Sequence, residues 1–335
     1  MPASLRGVEL LNWQKLIDET IERRRESRMT KREHAALAGV SAPTMAAFER
    51  GETTLSLAKA FDILRVVGLL DEPKEMGAQE RFLRESIERW QMLVTDLPPE
   101  NPARFPDGFY RADYCFKGEL KAITTGDFER MLEKVAHIKY TGWPAFMFMS
   151  REETRPREVD GAIESWLAPD HLVPRSFSDA AHCDFWRGVP SGRMFLIRGY
   201  QEDGQETFPP ATVFDSTLPI WRLGEILLHA SHLATHLAKD DPDTLSVKVR
   251  VLYSGLRGRQ LKSWANPLSG MFLEGRPARS DEVLLEADIP VKKLREDLAG
   301  VLVPLVSQLF ERFDAESVSY DFVQHEVARL MKGRF

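Results

Sequence analysis

The spacing of apolar residues divides the chain into a helical N-terminal part and a longer part in which strand and helix patterns alternate. Over residues 10–70, apolar positions recur at intervals of three and four, which predicts about five short helices. A polar break follows at Asp71–Glu75, and the helical spacing returns over Ala78–Thr95. The segment Leu97–Gly108 then holds four prolines in twelve residues, so we predict a linker without regular structure there.

Beyond this segment, apolar and polar side chains alternate over several short stretches, which is typical of strands with one buried face. The predicted strands are Glu119–Ile123, Pro144–Met149, Ala162–Leu167, Met194–Tyr200, Ser246–Tyr253 and Val283–Asp288. The predicted helices are Asp127–Tyr140, Leu218–Lys239, Lys292–Phe313 and Tyr320–Lys332. The sequence therefore predicts three regions: an all-α domain over residues 1–72, a connector helix with a Pro-rich linker over 73–108, and a larger mixed α/β or α+β domain over 109–335.

Residues 30–51 have the pattern of two short helices that cross at a tight turn. Gly39 suits the turn because glycine readily adopts a positive φ. Ser41 is a favourable N-cap for the second helix, and Pro43 fits its first turn, where no backbone donor is needed. The apolar positions that would pack the second helix against the first are Val40, Met45 and Phe48.

This stretch resembles the Cro/repressor-type (XRE) helix-turn-helix family of DNA-binding regulators, and the resemblance extends from about Leu10 to Leu70. The matching residues are Val40-Ser41, Thr44-Met45, Phe48-Glu49 and Gly51. The resemblance implies that a supporting helix begins near the DNA phosphates and that Ser41–Ala47 forms the face that enters the major groove. The DNA-contacting residues predicted in this way are Arg28, Lys31, Arg32, Ser41, Ala42, Thr44, Ala46, Ala47 and Arg50.

The face predicted to enter the groove carries few side chains that read bases. Ala42, Pro43, Ala46 and Ala47 stand where direct readout uses Arg, Lys, Asn or Gln. Alanine can contact only a thymine methyl group. Two interpretations stay open: recognition through methyl contacts, DNA shape and a flanking arm, or docking of this module on a protein.

The charge distribution favours DNA binding only in the N-terminal part. The 335-residue chain has a net charge of −6, which argues against a general nucleic-acid binder. Residues 1–70, however, hold 11 Lys and Arg against 9 Asp and Glu, and the cations cluster over Arg23–Arg32. Such a cluster suits phosphate contacts, whereas pairing with nearby acidic residues is the alternative. Because a module with so small a positive charge binds weakly alone, we expect a homodimer on double-stranded DNA.

The remaining composition is that of an ordinary globular protein, with 43% hydrophobic and 29% charged residues. No apolar run reaches the length of a membrane span, and the N-terminus lacks a signal-peptide pattern. The cysteines, Cys115 and Cys183, offer neither a disulfide framework nor a CxxC metal motif. We therefore expect a cytoplasmic protein with no membrane partner.

One candidate for chemistry in the larger domain has the spacing of the PD-(D/E)xK nucleases. Pro106-Asp107 is followed by Glu119 and Lys121 at the start of a predicted strand. In that arrangement two carboxylates hold Mg²⁺ and the lysine stabilises charge on the attacked phosphate. The alternative is that Asp107 forms local hydrogen bonds in a Pro/Gly turn.

A second candidate is a set of histidines on one face of the predicted helix Leu218–Lys239. His229, His232 and His236 fall within an arc of about 60° at helical spacing. They could ligate zinc, but no HExxH motif accompanies them, and a wet or interface face is the alternative.

A third candidate combines aromatic side chains with arginines. Trp186, Arg187, Arg198 and Tyr200 could line a pocket for an anionic or planar ligand, and Trp221-Arg222 and Arg257–Arg259 near Trp264 add to this density. Packing of the tryptophans in the core is the alternative. No Ser-His-Asp elbow, Walker loop or Rossmann fingerprint is present, so no cofactor is predicted.

Taken together, these patterns favour a non-enzymatic, dimeric transcriptional regulator, most simply a repressor. Its N-terminal domain would occupy a DNA operator, and its C-terminal domain would dimerise, sense a small molecule or engage a protein effector. Two alternatives stay open. One is a metal-dependent nuclease or nucleic-acid-processing enzyme, and the other is an antitoxin or defence-type protein that represses its own operon.

Overall fold

Two compact units, Met1–Gly77 and Ala78–Phe335, make up the chain. The computed structural model describes residues 12–70, 77–167, 179–267, 276–315 and 318–333. Over these ranges the chain has ten α-helices and nine strands, seven of which form one large sheet in the second unit. None of the described helices is both long and apolar enough to cross a lipid bilayer.

The described part of the first unit is helical, as the apolar spacing predicts. Its helices are α1 (Trp13–Glu26), α2 (Lys31–Leu37), α3 (Ala42–Glu49) and α4 (Leu57–Val66). Helix α2 begins with a capping box, in which the Thr30 hydroxyl accepts from the Glu33 amide and the Glu33 carboxylate accepts from the Thr30 amide. Gly39, with a φ of 63°, makes the turn to α3, which begins where the Ser41 hydroxyl accepts from the Thr44 amide.

A small apolar core holds these helices together. Ile17, Met45, Phe48 and Ile63 have no exposed surface, and the ring of Trp13 packs edge-on against Phe48 at 5.3 Å between centroids. Each of the four helices contributes to this core. The first unit therefore owes its stability to a few large side chains, since burial of one such side chain contributes about 1.5–3 kcal/mol.

A seven-stranded antiparallel sheet organises the second unit. The strands of the unit are β1 (Phe109–Lys117), β2 (Arg157–Val159), β3 (Ala162–Trp166), β4 (Phe185–Val189), β5 (Arg193–Gly199), β6 (Val213–Asp215), β7 (Ser246–Ser254), β8 (Gln260–Lys262) and β9 (Val283–Pro290). The large sheet has the order β2-β3-β4-β5-β1-β7-β9, and β6 pairs with β8 in a separate parallel pair. The helices are α5 (Ala78–Val94), α6 (Thr125–Ala136), α7 (Leu218–Leu237), α8 (Val291–Glu296), α9 (Leu298–Phe310) and α10 (Tyr320–Met331).

Alternation along the strands gives the sheet two different faces. In β1, Tyr110, Ala112 and Tyr114 belong to the main core, which also contains one side of the long helix α7. Phe109, on the opposite face, packs in a second cluster with Phe82 of α5. Because the side-chain period of a strand is two, strands β1, β3, β4 and β5 contribute residues to both clusters.

Helix α5 and the Pro-rich segment after it, which are predicted to be a connector and a linker, belong to the second unit. Phe82 and Val94 of α5 are buried, and so are Ala103 and Phe105 of the Pro-rich segment. Arg89 of α5 is paired with the buried Glu164 of β3 at 2.8 Å. The predicted linker without regular structure is therefore wrong in part, because Pro102–Arg104 forms a short 3-10 helix and the segment packs in the second unit.

Several predicted elements differ from the structure. Glu119–Ile123 is not a strand; only an isolated bridge between Leu120 and Ala238 forms there. Pro144–Met149 is not a strand either, because side chains bind its carbonyl groups: Arg198 donates to the Pro144 oxygen, and Trp186 Nε1 donates to the Met147 oxygen. The predicted helix Lys292–Phe313 is two helices that meet at Asp297, whose side chain caps the Gly300 amide of α9.

Phe48→Ala tests the core of the first unit. Loss of this fully buried ring should lower the free energy of unfolding of residues 13–70 by about 3–5 kcal/mol, because the cavity cannot fully collapse. Hydrogen exchange of the amides of α1–α4 in the full chain measures this change. Leu37→Ala, at a side chain that is 66% exposed, is the matched control and should change the value by less than about 0.5 kcal/mol. Equal losses in the two variants would show that Phe48 does not hold this core.

Candidate functional site

The outer surface of α2 and α3 carries most of the predicted DNA-contacting residues. We define the α2–α3 surface by its exposed members, Arg28, Arg32, Ser41, Ala42 and Arg50. Thr44, Ala46 and Ala47 are half-buried at its edge. The surface therefore exposes the N-terminal end of α3, while Met45 and Phe48 on the other side of that helix are buried.

An internal ion-pair network neutralises part of the positive charge near this surface. Glu49 pairs with Arg24 at 2.8 Å through one carboxylate oxygen and with Lys31 at 2.7 Å through the other. Arg50 is likewise paired with Glu52 at 2.6 Å. Among the described residues, Arg28 and Arg32 form no ion pair, so they are the predicted phosphate contacts with uncompensated charge.

The single histidine within the first unit's core has a structural role. His34 is fully buried, and its Nε2 donates to the Ile63 carbonyl oxygen at 2.9 Å, which connects α2 to α4. Burial lowers the pKa of His34 below its usual value, with the charge of Arg24 acting in the same direction. The imidazole is therefore neutral at pH 7 and contributes no charge toward a ligand.

The predicted nuclease residues do not form a common site. Asp107 precedes strand β1 and Glu119 follows it, so the nine-residue strand separates them by roughly 30 Å at about 3.3 Å per residue. Glu119 is exposed and paired with Lys239, and Lys121 donates to the His236 carbonyl oxygen. Two carboxylates this far apart cannot hold one metal ion.

Two of the three histidines of α7, His229 and His232, bind different tyrosine hydroxyls. His229 Nδ1 is 2.8 Å from the Tyr114 hydroxyl, and burial lowers the pKa of His229 to about 3. His232 Nε2 is 2.9 Å from the Tyr140 hydroxyl. Within the described residues, no group of three or more His, Cys, Asp or Glu side chains has a geometry that could hold a metal ion.

The second unit has an open cleft of about 510 Å³, which we call the outer cleft. Three tryptophans, Trp143, Trp221 and Trp264, line it, together with the side chains of His182 and Arg222. The ring of His182 meets Trp143 edge-on, with 4.6 Å between centroids. This volume lies within the range of about 300–1,000 Å³ that is typical of small-molecule sites.

A small cavity, the inner chamber, adjoins the outer cleft and has a volume of about 20 Å³. The two cavities share Ala181, Gln201, Leu218 and Arg222 as lining residues. Deeper in the chamber lie Tyr110, Arg198, Tyr200, Glu202 and Tyr253. A volume of this size holds one water molecule or one ligand atom of similar size.

The four aromatic and arginine candidates separate into two pairs. Arg198 and Tyr200 line the inner chamber. Trp186 and Arg187 do not line either cavity: Trp186 is in the core, where its Nε1 donates to Met147, and Arg187 lies on the other side of β4, near Glu164. Adjacent residues of a strand face opposite sides, which separates Trp186 from Arg187.

Two guanidinium groups, of the buried Arg198 and the half-buried Arg222, position the first wall of the cleft. Arg198 of β5 forms a bidentate ion pair with Asp184 and donates to the Pro144 carbonyl oxygen. Arg222 of α7 pairs with Glu225 at 3.1 Å and donates to the Trp143 carbonyl oxygen at 2.8 Å. The irregular segment that carries Trp143 is thereby attached to both the sheet and α7.

One carboxylate positions the opposite wall. Asp215 at the end of β6 accepts from the amides of Thr217 and Leu218 through one oxygen and from the amides of Trp264 and Ala265 through the other. These bonds cap the start of α7 and attach the segment with Trp264 to it. Asp215 thus fixes the Trp264 wall relative to the Trp221 helix.

Close backbone approach completes the cleft. Gly199 at the end of β5 lies against Ala180, and an added Cβ at Gly199 would overlap both the side chain and the backbone of Ala180. The Gly199 amide also donates to the Ala180 carbonyl oxygen at 3.0 Å. Glycine at this position therefore lets the segment with His182 reach the cleft.

Sequence reasoning from single segments identified Arg198 and Tyr200 but not Trp143, His182, Gln201, Tyr110 or Tyr253. The lining residues come from the turn at 141–143, the segment 181–182, the end of β5, the start of α7 and the turn at 264–265. The only signal in the sequence is the density of Trp and Arg, which identifies residue types but not which of them converge.

Among the titratable groups that line the chamber, Glu202 is the one whose pKa is shifted toward neutral pH. Burial raises the pKa of Glu202 to about 7, and the nearby charge of Asp215 acts in the same direction. A backbone bond from the Asp215 amide, 2.6 Å from Glu202 Oε1, opposes this. Near pH 7, protonated and ionised Glu202 are therefore both populated.

Glu202→Gln tests this assignment. The pKa of Glu202 is 4.5 in the unfolded chain and about 7 in the folded protein. Its carboxyl group therefore contributes its full stabilisation below pH 4.5, and this contribution is lost as the pH rises through 7. Between these pH values the free energy of unfolding of the wild type should fall by about 3 kcal/mol, whereas that of Glu202→Gln should not fall for this reason. Urea unfolding at pH 4.5, 6 and 8 measures the difference. Glu206→Gln, at an exposed position nearby, is the control, and parallel pH profiles for wild type and Glu202→Gln would refute the prediction.

Comparison with protein-family models, with curated proteins and with solved structures finds no match for this chain. A functional conclusion therefore depends on the chain's own residues and geometry.

Proposed function

We propose that the first unit is a helix-turn-helix module that docks on double-stranded DNA, and that the protein is a cytoplasmic, homodimeric transcription regulator. In its simplest form it is a repressor that occupies an operator and excludes polymerase. The second unit would control this occupancy.

The observation that carries the proposal is the exposure of the N-terminal end of α3 together with that of Arg28 and Arg32, which form no ion pair with any described residue. Met45 and Phe48 hold one side of α3 in the core, while Ser41 and Ala42 at its start are exposed. In helix-turn-helix proteins the N-terminal residues of the second helix contact base edges in the major groove. The sequence pattern around Gly39 and the capped starts of both helices agree with this arrangement.

Phosphate contacts would come mainly from Arg28 and Arg32. Both side chains are exposed and lack ion pairs within the described residues, whereas Lys31 is engaged by Glu49. Arginine can also bind a phosphate through two parallel hydrogen bonds. We therefore assign the larger electrostatic contribution to the arginines.

Base recognition would depend on the small residues of α3. Ala42, Ala46 and Ala47 can contact thymine methyl groups, and Ser41 and Thr44 can bond a phosphate or a base edge. However, the Ser41 and Thr44 hydroxyls are 2.8 Å apart and bond each other in the free protein. Specificity would then arise from methyl contacts, DNA shape and the spacing of two half-sites.

Arg32→Ala should weaken DNA binding at every sequence, because phosphate contacts position the protein without reading bases. In a homodimer it removes two such contacts, so the slope of log affinity against log salt should fall by about 2 in magnitude. Lys31→Ala should have a smaller effect, since Glu49 already neutralises that charge. Fluorescence anisotropy with labelled duplexes at several salt concentrations measures the slopes.

Arg130→Ala, an exposed position of α6 in the second unit, serves as the control for simple loss of charge and should leave the slope unchanged. If Arg32→Ala has the same affinity and slope as the wild type, the α2–α3 surface does not bind DNA phosphates.

Replacement of thymine by uracil in the bound sequence tests the methyl contacts. Each methyl group that an alanine of α3 contacts contributes about 0.8 kcal/mol, or about fourfold in affinity. Uracil at contacted positions should therefore weaken binding by that factor, whereas uracil at flanking positions should have no effect. Uniform affinity for all uracil-substituted duplexes would exclude methyl readout.

A further inference from the structure

Two buried tyrosine hydroxyls in the inner chamber lack a hydrogen-bond partner. Tyr110 is 4% exposed and Tyr253 is 2% exposed, and both side chains line the chamber. Among the described residues, neither hydroxyl has a partner. An unsatisfied buried hydroxyl costs about 1–3 kcal/mol, so each such group in a folded protein calls for a bound water or a ligand atom.

The outer cleft connects this unsatisfied chamber to solvent. Its walls are aromatic, with Trp143 and Trp264 half-buried on segments that the arginines and Asp215 hold in place. Flat aromatic walls on preorganised segments favour a planar ring, which stacks without a large loss of side-chain entropy. The aromatic walls therefore favour a ligand with a planar ring.

The charged groups that line the two cavities determine which polar group of a ligand can bind there. Arg222 lines both cavities, and Arg198 and Glu202 line the chamber, whereas the carboxylate partners of the two arginines, Glu225 and Asp184, line neither cavity. Glu202 Oε1 accepts from the Asp215 amide, and burial raises the pKa of Glu202 to about 7, so this carboxyl group is partly protonated at neutral pH. Guanidinium groups on the wall with carboxylates behind them favour an anionic acceptor, and a carboxylate matches the planar fork of arginine. A cationic occupant would instead meet these guanidinium groups.

We propose that the outer cleft binds a planar aromatic carboxylate, with its ring between the tryptophans and its carboxylate at the mouth of the inner chamber. There Arg222 donates to one carboxylate oxygen and the Tyr110 hydroxyl donates to the same end of the molecule. This binding is independent of the proposed DNA docking, and only the use of such a molecule as an effector rests on that function.

The test uses naphthalene-2-carboxylate as the probe and the full-length protein, with binding followed by isothermal titration and by tryptophan fluorescence. The expected result is saturable binding of one molecule per chain. Naphthalene-2-carboxamide, of the same shape but neutral, should bind at least tenfold more weakly, and 2-naphthylmethylammonium should not bind. Equal affinity for the carboxylate and the carboxamide, or no saturable binding of the carboxylate, would overturn the proposal.

Tyr110→Phe separates a ligand contact from a merely structural hydroxyl. Because the hydroxyl has no partner among the described residues, its removal should leave thermal stability unchanged or higher, yet weaken the binding of the probe roughly fivefold. Arg222→Gln should weaken the carboxylate at least tenfold and the carboxamide far less. Unchanged affinity for the carboxylate in Tyr110→Phe would overturn the placement of the carboxylate.

Trp264→Leu tests the aromatic wall, and Trp166→Leu is its matched control. Both tryptophans are half-buried in the second unit, but Trp166 lies on β3 and does not line the cleft. Trp264→Leu should weaken the probe at least fivefold and Trp166→Leu should not change its affinity. Equal effects would overturn the proposed site. If the protein binds DNA but not the probe, the proposed ligand site is wrong and the proposed DNA docking stands. If it binds the probe but not DNA, the proposed DNA docking is wrong and the ligand site stands.

Discussion

The buried ion pair between Arg198 and Asp184 is the interaction on which the second unit's cleft depends. Both side chains are almost completely buried, and the guanidinium also donates to the Trp143 and Pro144 carbonyl oxygens. Burial alone would lower the pKa of Arg198, but Asp184 raises it, so the arginine stays charged. Removal of one partner from such a pair strands a buried charge and costs about 3–5 kcal/mol. The irregular segment at 141–147, which cannot join the sheet, is held by this pair, by Arg222 and by Trp186.

A second buried arginine, Arg259, binds irregular backbone in the same way. Arg259 is fully buried, pairs with Asp203, and donates to the carbonyl oxygens of Asp107, Val213 and Gly255. Asp215 in turn accepts hydrogen bonds from the backbone amides at the start of α7. A buried polar backbone needs partners, and in this unit charged side chains supply them. These groups leave a preorganised opening at the ends of the strands, where small-molecule sites often lie.

Local patterns predicted the elements whose environment is simple. Helix α7 follows from Pro219 and an apolar helical period, and β7 from clean alternation. Strand β1 escaped prediction because its second face buries Asp113, which Arg250 pairs at 2.8 Å, and so its polar positions resemble a surface loop. The predicted strand at 144–149 failed because side chains, not a neighbouring strand, bind its carbonyl groups. The cleft could not be predicted, since its walls come from segments that only the tertiary fold brings together.

The proposed function makes the first unit the DNA-docking part and the second unit the part that responds to a ligand. Selection of bound fragments from genomic DNA by the full-length protein tests the DNA claim most directly. We expect enrichment of a small set of fragments with a shared, two-fold symmetric motif, and loss of this enrichment with Arg32→Ala. Recovery of fragments in proportion to their abundance, unchanged by Arg32→Ala, would contradict it.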